Sequence, residues 1–356
     1  MVQKNSWYNR VKEWEYWPFH YLYGPIYLVF VWYIIRSGFR FFFTAANPTI
    51  ENGGFVLESK KKIYDLLPTG TYPFTLFFLP GTPVETILHQ IERAAIPYPF
   101  ILKPDIGGKG RGVVIVKKEK DLWYYAGRFT MSFLVQAYVD YPQEVGIFYI
   151  RYPNLAVGQV TGIVGKGFGT VTGDGSSDIA TLIKADDRLQ RQYDAFNDQL
   201  GLKMKEVLPL GKVEMLMPFG NHARGAVFYD WHYLIDEKLQ NWIDPLMQQI
   251  AGFHYGRLDI RFNTWEELIR GENFSIIELN GAGSEPTHIY DPGHSLLFAW
   301  KEIIRHWHYL YIISKQMHRM GTPYLSLKNG LALLKANARF ETELDTQHKA
   351  LLKAPE

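Results

Sequence analysis

The chain has 356 residues, of which 47% are apolar and 21% charged, so it supports a sizeable core in one large domain or two moderate ones and is not disordered throughout. Lysine and arginine number 38 against 36 acidic residues, a net charge of +2 that argues against a dedicated nucleic-acid binder. Cysteine is absent, which excludes disulfides, a thiol nucleophile and Cys-ligated zinc.

The N-terminal end carries a long aromatic, uncharged block. Residues 17–35 contain no Lys, Arg, Asp or Glu, and Arg36 and Arg40 follow. The block is borderline for the roughly 20 apolar residues of a membrane span, and Gly24-Pro25 interrupts it near its start. A signal peptide is disfavoured because the Thr-Ala-Ala that follows is a poor and distant cleavage site. The composition favours an interfacial segment, with a buried helix pair of a soluble protein as the alternative.

Beyond the turn-rich stretch 47–54 (NPTIENGG), which marks a boundary, periodicity and turn signals predict mixed helices and strands. The predicted elements are, in chain order, helices over 58–67 and 84–95, strands over 100–103, 113–117, 134–139 and 144–150, a polar helix over 187–200, strands over 257–262 and 274–279, and helices over 296–317 and from 329 onward. Because no clean β-α-β rhythm is present, the pattern predicts an α+β fold.

A glycine-rich loop joins the first two predicted strands, in the sequence PFILKPDIGGKGRGVVIV over 99–116. Glycines at 107, 108, 110 and 112 let backbone N–H groups close on an anion, and Lys103, Lys109 and Arg111 add positive charge. The pattern is neither a P-loop, since the Gly-Lys-Ser/Thr and its helix are missing, nor a Rossmann turn, since a strand follows. It predicts either a cradle for a nucleotide triphosphate or an ordinary glycine-rich hairpin.

Two later strands, GRLDIRF (256–262) and FSIIELN (274–280), bring oxygen ligands together. Alternation places Arg257 and Asp259 on one face of the first strand, and Glu278 and Asn280 on one face of the second. If the strands pair as a hairpin, Asp259 lies close to Glu278, and two carboxylates with an amide oxygen suit Mg²⁺ bridging phosphates. A buried Asp–Glu pair without a cation would be costly, which favours this hypothesis over solvated charges.

These two features together resemble the ATP-grasp superfamily, and more narrowly its carboxylate–amine ligases, over about residues 63–295. GRLDIRF followed by IIELNGAGSEPTHIYDP is similar to the D-alanine–D-alanine ligase pattern, which implies that Asp259, Glu278 and Asn280 bind Mg²⁺ and that Arg257 contacts the acyl phosphate. ILKPDIGGKGRGV resembles the lysine strand and phosphate lid of the superfamily. The resemblance therefore assigns ATP-phosphate binding to Lys103, Gly107, Gly108, Lys109 and Gly110.

Further motifs extend the resemblance. LVQAYVDYPQEVGI is similar to the adenine hinge, although Gln136 stands where the family has Glu. The resemblance implies that the adenine is lined by Gln136, Ala137, Tyr138 and Val139, and the ribose bound by Glu144. NHARGA (221–226) is similar to a motif of cyanophycin synthetase and the ribosomal-protein glutamate ligase, which implies that Arg224 lies at the reacting carboxylate. His222 beside it is the best candidate for a general base.

The architecture implied by the resemblance is an ATP-grasp fold, two α+β subdomains gripping ATP, over 99–295. A membrane-associated helical segment (1–62) and a reduced pre-grasp region (63–98) would precede it, and C-terminal helices (296–356) would follow. The usual preceding α/β domain is nearly missing, and the apolar N-terminal block takes its place. Because of that block we expect a protein that is cytoplasmic, and peripheral or monotopic at the cytoplasmic face of the inner membrane.

The activity implied is an ATP-dependent ligase that joins a small-molecule acid to an amine through an acyl phosphate. The cofactors implied are ATP and Mg²⁺, with two ions expected and Mn²⁺ able to substitute. The apolar N-terminus favours a lipid-linked or membrane-adjacent substrate; no nucleic acid is expected, and a homodimer is an open expectation. A phosphotransferase on the same scaffold and a non-catalytic nucleotide-binding membrane adaptor remain as alternatives.

Overall fold

The structure, a computed structural model, describes residues 14, 17, 19–216 and 226–352. Its strands are β1 Thr75–Phe78, β2 Phe100–Pro104, β3 Val114–Val116, β4 Phe133–Ala137, β5 Gln143–Ile150, β6 Gln159–Gly167, β7 Thr170–Thr172, β8 Val213–Met215, β9 Val227–Asp230, β10 Tyr255–Phe262 and β11 Phe274–Asn280. Its α-helices are α1 Phe19–Tyr23, α2 Tyr27–Arg36, α3 Lys60–Tyr64, α4 Val84–Arg93, α5 Glu119–Ala126, α6 Ile179–Ala185, α7 Asp187–Gln190, α8 Tyr193–Leu200, α9 Glu237–Gln248, α10 Trp265–Leu268, α11 Leu296–Arg319 and α12 Leu327–Leu352.

Two antiparallel sheets organise the chain, which confirms the predicted α+β fold. The first has the order β1-β4-β2-β3, and the second has the order β11-β10-β5-β6-β9. Strands β7 and β8 form a separate ribbon. Since β1 pairs with β4, part of the segment 63–98 belongs to the same sheet as the strands that follow it.

The second sheet is apolar on one face, whereas its other face carries charged side chains beside the buried apolar residues Phe148, Ile150 and Tyr255. Its apolar face packs against α9 through Ile147, Leu258 and Ile260, all fully buried, together with Ile243 and Met247 of the helix. Burying each such side chain contributes about 1.5–3 kcal/mol relative to leaving it exposed. The strand alternation that directs these residues into the core directs Arg257 and Asp259 to the opposite face.

Strand β6 is absent from the sequence prediction because its glycines lower strand propensity. The structure shows why they are there: a Cβ at Gly162 would lie 2.5 Å from the His288 ring, and one at Gly165 would lie 2.1 Å from the Trp231 ring. Tertiary packing against two large side chains therefore overrides the local signal. The polar helix predicted over 187–200 is likewise interrupted, forming α7 and α8.

The N-terminal segment is helical and aromatic-rich, as predicted, and the Gly24-Pro25 interruption forms a 3₁₀ turn between α1 and α2. The inner side of α2 packs beside α11, with Phe30 and Tyr33 against Phe42 and Tyr311. Among the helices that the structure describes, none combines the length and apolarity needed to cross a bilayer.

The turn-rich stretch 47–54 is packed into the fold rather than forming a linker. Asn47 is fully buried, and its side chain donates hydrogen bonds of 2.9 Å to the carbonyls of Gly53 and Tyr255. The side-chain oxygen Oδ1 of Asn47 accepts hydrogen bonds from the backbone N–H groups of His254 and Tyr255. One amide side chain thus fixes this stretch to the start of β10, the strand that carries Asp259.

Candidate nucleotide and metal site

The predicted oxygen donors meet on one face of the β10–β11 hairpin. In its register Asp259 lies opposite Glu278, and Arg257 lies opposite Asn280. On the other side of β10, Asp259 lies opposite Gly146 of β5. A Cβ at Gly146 would lie 3.1 Å from the Asp259 carboxylate, so the glycine leaves room for that side chain.

Asp259 is a buried carboxylate held by cations. Its oxygens accept from Arg257 Nε at 2.8 Å and Nη2 at 3.1 Å, and Lys166 Nζ lies 3.1 Å away. Burial raises the pKa of this carboxyl, but Arg257 and Lys166 outweigh burial and lower the pKa to about 2. A carboxylate offers about four acceptor positions. The described donors occupy three of them, which leaves capacity for one further cation contact.

Glu278 and Asn280 are less satisfied and border a small cleft. The Glu278 side chain is 33% exposed and has Lys60 at 3.5 Å. Within the described residues, Asn280 Nδ2 and Glu58 Oε2 are buried without a hydrogen-bond partner, and burial raises the pKa of Glu58. The cleft is lined by Glu58, Lys60, Ile63, Tyr64, Glu278, Leu279 and Asn280.

This donor set fits a hard divalent cation. The amide of Asn280 can present its oxygen where the nitrogen is placed, because the two atoms are exchangeable by a flip. No group of three or more His, Cys, Asp or Glu that could hold a metal occurs in the described part of the chain. A cation bound by Asp259, Glu278 and Asn280 would therefore need ligands from phosphate and water, as Mg²⁺ commonly has.

Lys103 connects the first sheet to this hairpin. Its ammonium is buried and lies 2.8 Å from both Tyr64 Oη and Gln136 Oε1. The Tyr64 hydroxyl in turn donates to the Ile277 carbonyl in β11. Burial, helped by the nearby charge of Lys60, lowers the pKa of Lys103 to about 7.

The glycine loop lies beside the same cleft. Lys60 donates from Nζ to the Gly107 carbonyl and also pairs with Glu278, so it joins the loop to the oxygen donors. Lys109 is exposed, Gly108 is partly exposed, and Lys109 has a φ of +59°. Positive φ values are also found at Gly107 (+126°), Gly110 (+68°) and Gly112 (+71°). The three glycines adopt these positive φ values at low energetic cost because they have no Cβ.

The hinge residues lie at the end of β4, but Gln136 does not face outward. Its buried side chain accepts from the Lys103 ammonium and donates to Thr75 Oγ1 at 2.8 Å. The Ala137 N–H donates to the Phe74 carbonyl at 2.9 Å, and Tyr138 is partly exposed. Gln136 therefore positions the lysine in this structure rather than offering its amide to a base.

Glu144 lies at the other end of the charged face. It is buried, and it accepts from Lys166 at 2.8 Å and from Arg261 at 3.4 Å. Arg261 also donates to the Val139 carbonyl at 3.4 Å, which ties the hinge to β10. A nucleotide ribose bound by Glu144 would have to share this carboxylate with two cations.

These contacts form three groups that the pairing of β10 with β11 brings together, and we call them the site network. Its members are Lys60, Tyr64, Lys103, Glu144, Lys166, Arg257, Asp259, Arg261 and Glu278. Even without Lys103, whose pKa is lowered to about 7, the four other basic side chains outnumber the three carboxylates, and such an excess attracts polyphosphate. Sequence reasoning missed Lys60, Lys166 and Arg261. Strand alternation puts Arg261 on the same face as Arg257 and Asp259, so the sequence did contain a signal for Arg261.

Arg224 and His222 lie outside the described residues, so their predicted roles rest on the sequence alone. Arg257, the other arginine to which the resemblance assigns a catalytic role, lies on β10. Its Nη1 donates to the Glu285 carbonyl at 3.2 Å, while its other nitrogens hold Asp259. Asp259 in β10 and the Glu285 carbonyl in the turn after β11 therefore fix the position of the Arg257 guanidinium.

Comparisons with known proteins give partial structural likenesses. A bifunctional glutathione synthetase from Pasteurella multocida has a TM-score of 0.39 at 14% identity, over 75% of this chain and 38% of that protein. A D-alanine–D-alanine ligase from Bacillus anthracis has a TM-score of 0.39 at 12% identity, over 74% and 67%. The ATP-grasp ligase PsnB has a TM-score of 0.33 at 14% identity, over 64% and 52%. No family model and no curated protein sequence matches the chain.

The chain spans less than two thirds of the glutathione synthetase and of PsnB.

Proposed function

We propose that this chain is an ATP-dependent ligase that joins a carboxylate to an amine, with residues 99–295 forming an ATP-grasp region. The observation that supports this best is the site network. A buried lysine with a lowered pKa, a glycine loop and three oxygen donors lie around one hairpin. Lys60 joins the loop to Glu278, Tyr64 joins Lys103 to the backbone of β11, and β11 pairs with β10. Such a combination suits a triphosphate with its cation.

In this proposal Asp259, Glu278 and Asn280 would hold Mg²⁺. The ion would supply charge neutralisation for phosphoryl transfer. Two ions, or Mn²⁺ in their place, would fit the same hard oxygen donors. Lys103, Lys60 and the loop N–H groups contact the phosphates, and the backbone of Ala137 to Val139 borders the adenine.

The reaction has two steps. A carboxylate oxygen of the acid attacks the γ-phosphorus, the bond to the β-phosphate oxygen breaks, and the ADP formed stays bound until the amine has reacted. The amine then attacks the acyl carbon, the carbon–oxygen bond to phosphate breaks, and phosphate and a proton are released. Arg257, held by Asp259 and the Glu285 carbonyl, neutralises charge on the acyl phosphate. Arg224 is proposed to orient the reacting carboxylate.

We expect ADP release to require an acid and an amine together. The measurement is ADP formation across an acid panel, each acid tested with and without an amine panel. ADP and a phosphorylated acid that accumulate with no amine would instead support a phosphotransferase. Nucleotide binding without turnover for every pair would support a non-catalytic adaptor.

We further propose that the ligase works peripherally at the cytoplasmic face of a membrane, on a lipid-linked or membrane-adjacent substrate. The outer side of α2 exposes a continuous apolar stripe at helical spacing. Its members and exposed fractions are Leu28 (78%), Val31 (48%), Trp32 (54%) and Ile35 (44%). Arg36 and Arg40 are exposed at the C-terminal end of the stripe. Apolar side chains bordered by arginines suit an anionic bilayer surface.

The N-terminal segment also reaches the site. Tyr23, at the end of α1, is buried and donates its hydroxyl to the Glu285 carboxylate. The carbonyl of the same Glu285 accepts from Arg257. A membrane-bound α2 would thus hold the reacting region next to the lipid surface, which supports a substrate presented there.

Replacing Leu28 and Trp32 by Ser is expected to weaken binding to anionic vesicles by at least about tenfold, because two apolar side chains no longer enter the interface. Co-sedimentation with phosphatidylglycerol-containing vesicles measures the effect. The matched control is Leu331→Ser with Leu334→Ser, two exposed leucines of α12. Equal binding by both double variants would contradict a membrane role for α2.

A further inference from the structure

The C-terminal helix α12 lies against the glycine loop. Arg111 of the loop is only 14% exposed, because two carboxylates of α12 hold it: Glu341 at 2.6 Å and Asp345 at 2.9 Å. The Gly112 N–H donates to His348 Nδ1 at 3.3 Å. These three α12 residues follow a spacing of four and then three, so they lie on one side of the helix.

The same side of α12 is anchored by packing. Leu344 is fully buried, and a Cβ at Gly107 would lie 2.6 Å from its Cδ2 atom. Gln347 is 2% exposed; its oxygen accepts from the Thr130 N–H at 2.7 Å, and its nitrogen donates to the Arg128 carbonyl. The helix is therefore bonded to the segment between α5 and β4 as well as to the glycine loop. Removing its carboxylates alone leaves this anchor in place.

The contact conflicts with the use of the loop as a phosphate cradle. A triphosphate held by the loop would draw on Arg111, the guanidinium that Glu341 and Asp345 already neutralise. Both carboxylates would also repel a bound polyphosphate, and side-chain charges this close interact even in partly exposed positions. A nucleotide bound at the loop would therefore compete with α12 for Arg111.

We propose that α12 is an autoinhibitory strap that holds the glycine loop in a phosphate-free position, and that nucleotide triphosphate binding releases Arg111 from Glu341 and Asp345. The competition with nucleotide rests on the proposed function; the restraint of the loop does not. The strap makes nucleotide affinity depend on the charge of α12, so a modification or partner that neutralises this face activates binding.

The test is Glu341→Gln with Asp345→Asn, examined beside each single variant. We expect ATP to bind the double variant about three- to tenfold more tightly by calorimetry, since two partly exposed ion pairs no longer oppose it. We also expect faster hydrogen exchange of the amides at 107–113 without nucleotide. The matched control is Glu343→Gln, which removes one charge from an exposed position of the same helix and should change neither quantity.

Unchanged or weaker ATP binding by a folded double variant would overturn the competition, and unchanged exchange at 107–113 would overturn the restraint of the loop by Glu341 and Asp345. If the double variant fails to fold, the single variants are expected to show the same effects at smaller size. A wild-type protein that binds no ATP would contradict the proposed function, whereas the exchange measurement, made without nucleotide, would still decide whether α12 restrains the loop.

Discussion

Replacing Glu278 by Gln is expected to lower ligase turnover by roughly 10²- to 10³-fold, the loss seen when a group that stabilises transition-state charge is removed. Stability should change little. The Glu278 side chain is 33% exposed, and its ion pair with Lys60 is long at 3.5 Å. Such partly exposed pairs contribute about 0–1 kcal/mol. The measurement is the rate of ADP release together with the free energy of unfolding in urea.

The chain supplies a matched control for this variant. Glu51 is also paired with a lysine of α3, in this case Lys62, and its side chain is 40% exposed. Glu51→Gln therefore removes the same charge from a similar pair outside the oxygen-donor set, and turnover should stay within about twofold of wild type. Equal turnover losses in the two variants would indicate a general electrostatic effect and remove Glu278 from the proposed metal site.

The positions of Glu278 and Asp259 show how much of this site could be predicted from the sequence. Both residues, with Arg257 and Asn280, lie on one hairpin, so strand alternation and one pairing assumption suffice to bring them together. Lys103 could be proposed because it ends a strand before a glycine loop. These are local signals, and each depends on residues close in the sequence.

The rest of the network depends on contacts between distant segments. Lys166 reaches Asp259 from β6, a glycine-containing strand that local propensity does not favour, and Lys60 reaches Glu278 from a helix more than 200 residues earlier. No periodic pattern in the sequence predicts either of these two contacts. The restraint of Arg111 by α12 is hidden for the same reason, because a charged C-terminal helix reads as a solvated one until its partner is known.

Lys103→Met is expected to weaken ATP binding by about 10- to 100-fold, because hydrogen bonds to charged groups contribute roughly 1.5–3 kcal/mol. The variant should also lose the proton uptake that we expect to accompany ATP binding in the wild-type protein. The pKa of Lys103 is lowered by burial to about 7, so at pH 8 the amine is mostly neutral. A triphosphate beside it raises that pKa again, and wild-type protein should take up protons when ATP binds. Calorimetry in two buffers of different ionisation enthalpy measures the uptake, which the variant should lack.

The stability of the same variant has a defined pH dependence. Between about pH 7 and the ordinary lysine pKa of 10.5, the unfolded chain binds a proton at this position that the folded chain does not. Wild-type stability should therefore rise with pH through this window, whereas below pH 7 the cost of burying the charge is fully present. Lys103→Met removes that cost, so its stability advantage in urea unfolding should be largest near pH 7 and shrink toward pH 10. Lys62→Met, at an exposed lysine of the same region, should show no such trend between pH 7 and 9. An advantage that is constant with pH would show that Lys103 is charged in the folded protein throughout this range, and would contradict its assignment as a neutral amine awaiting phosphate.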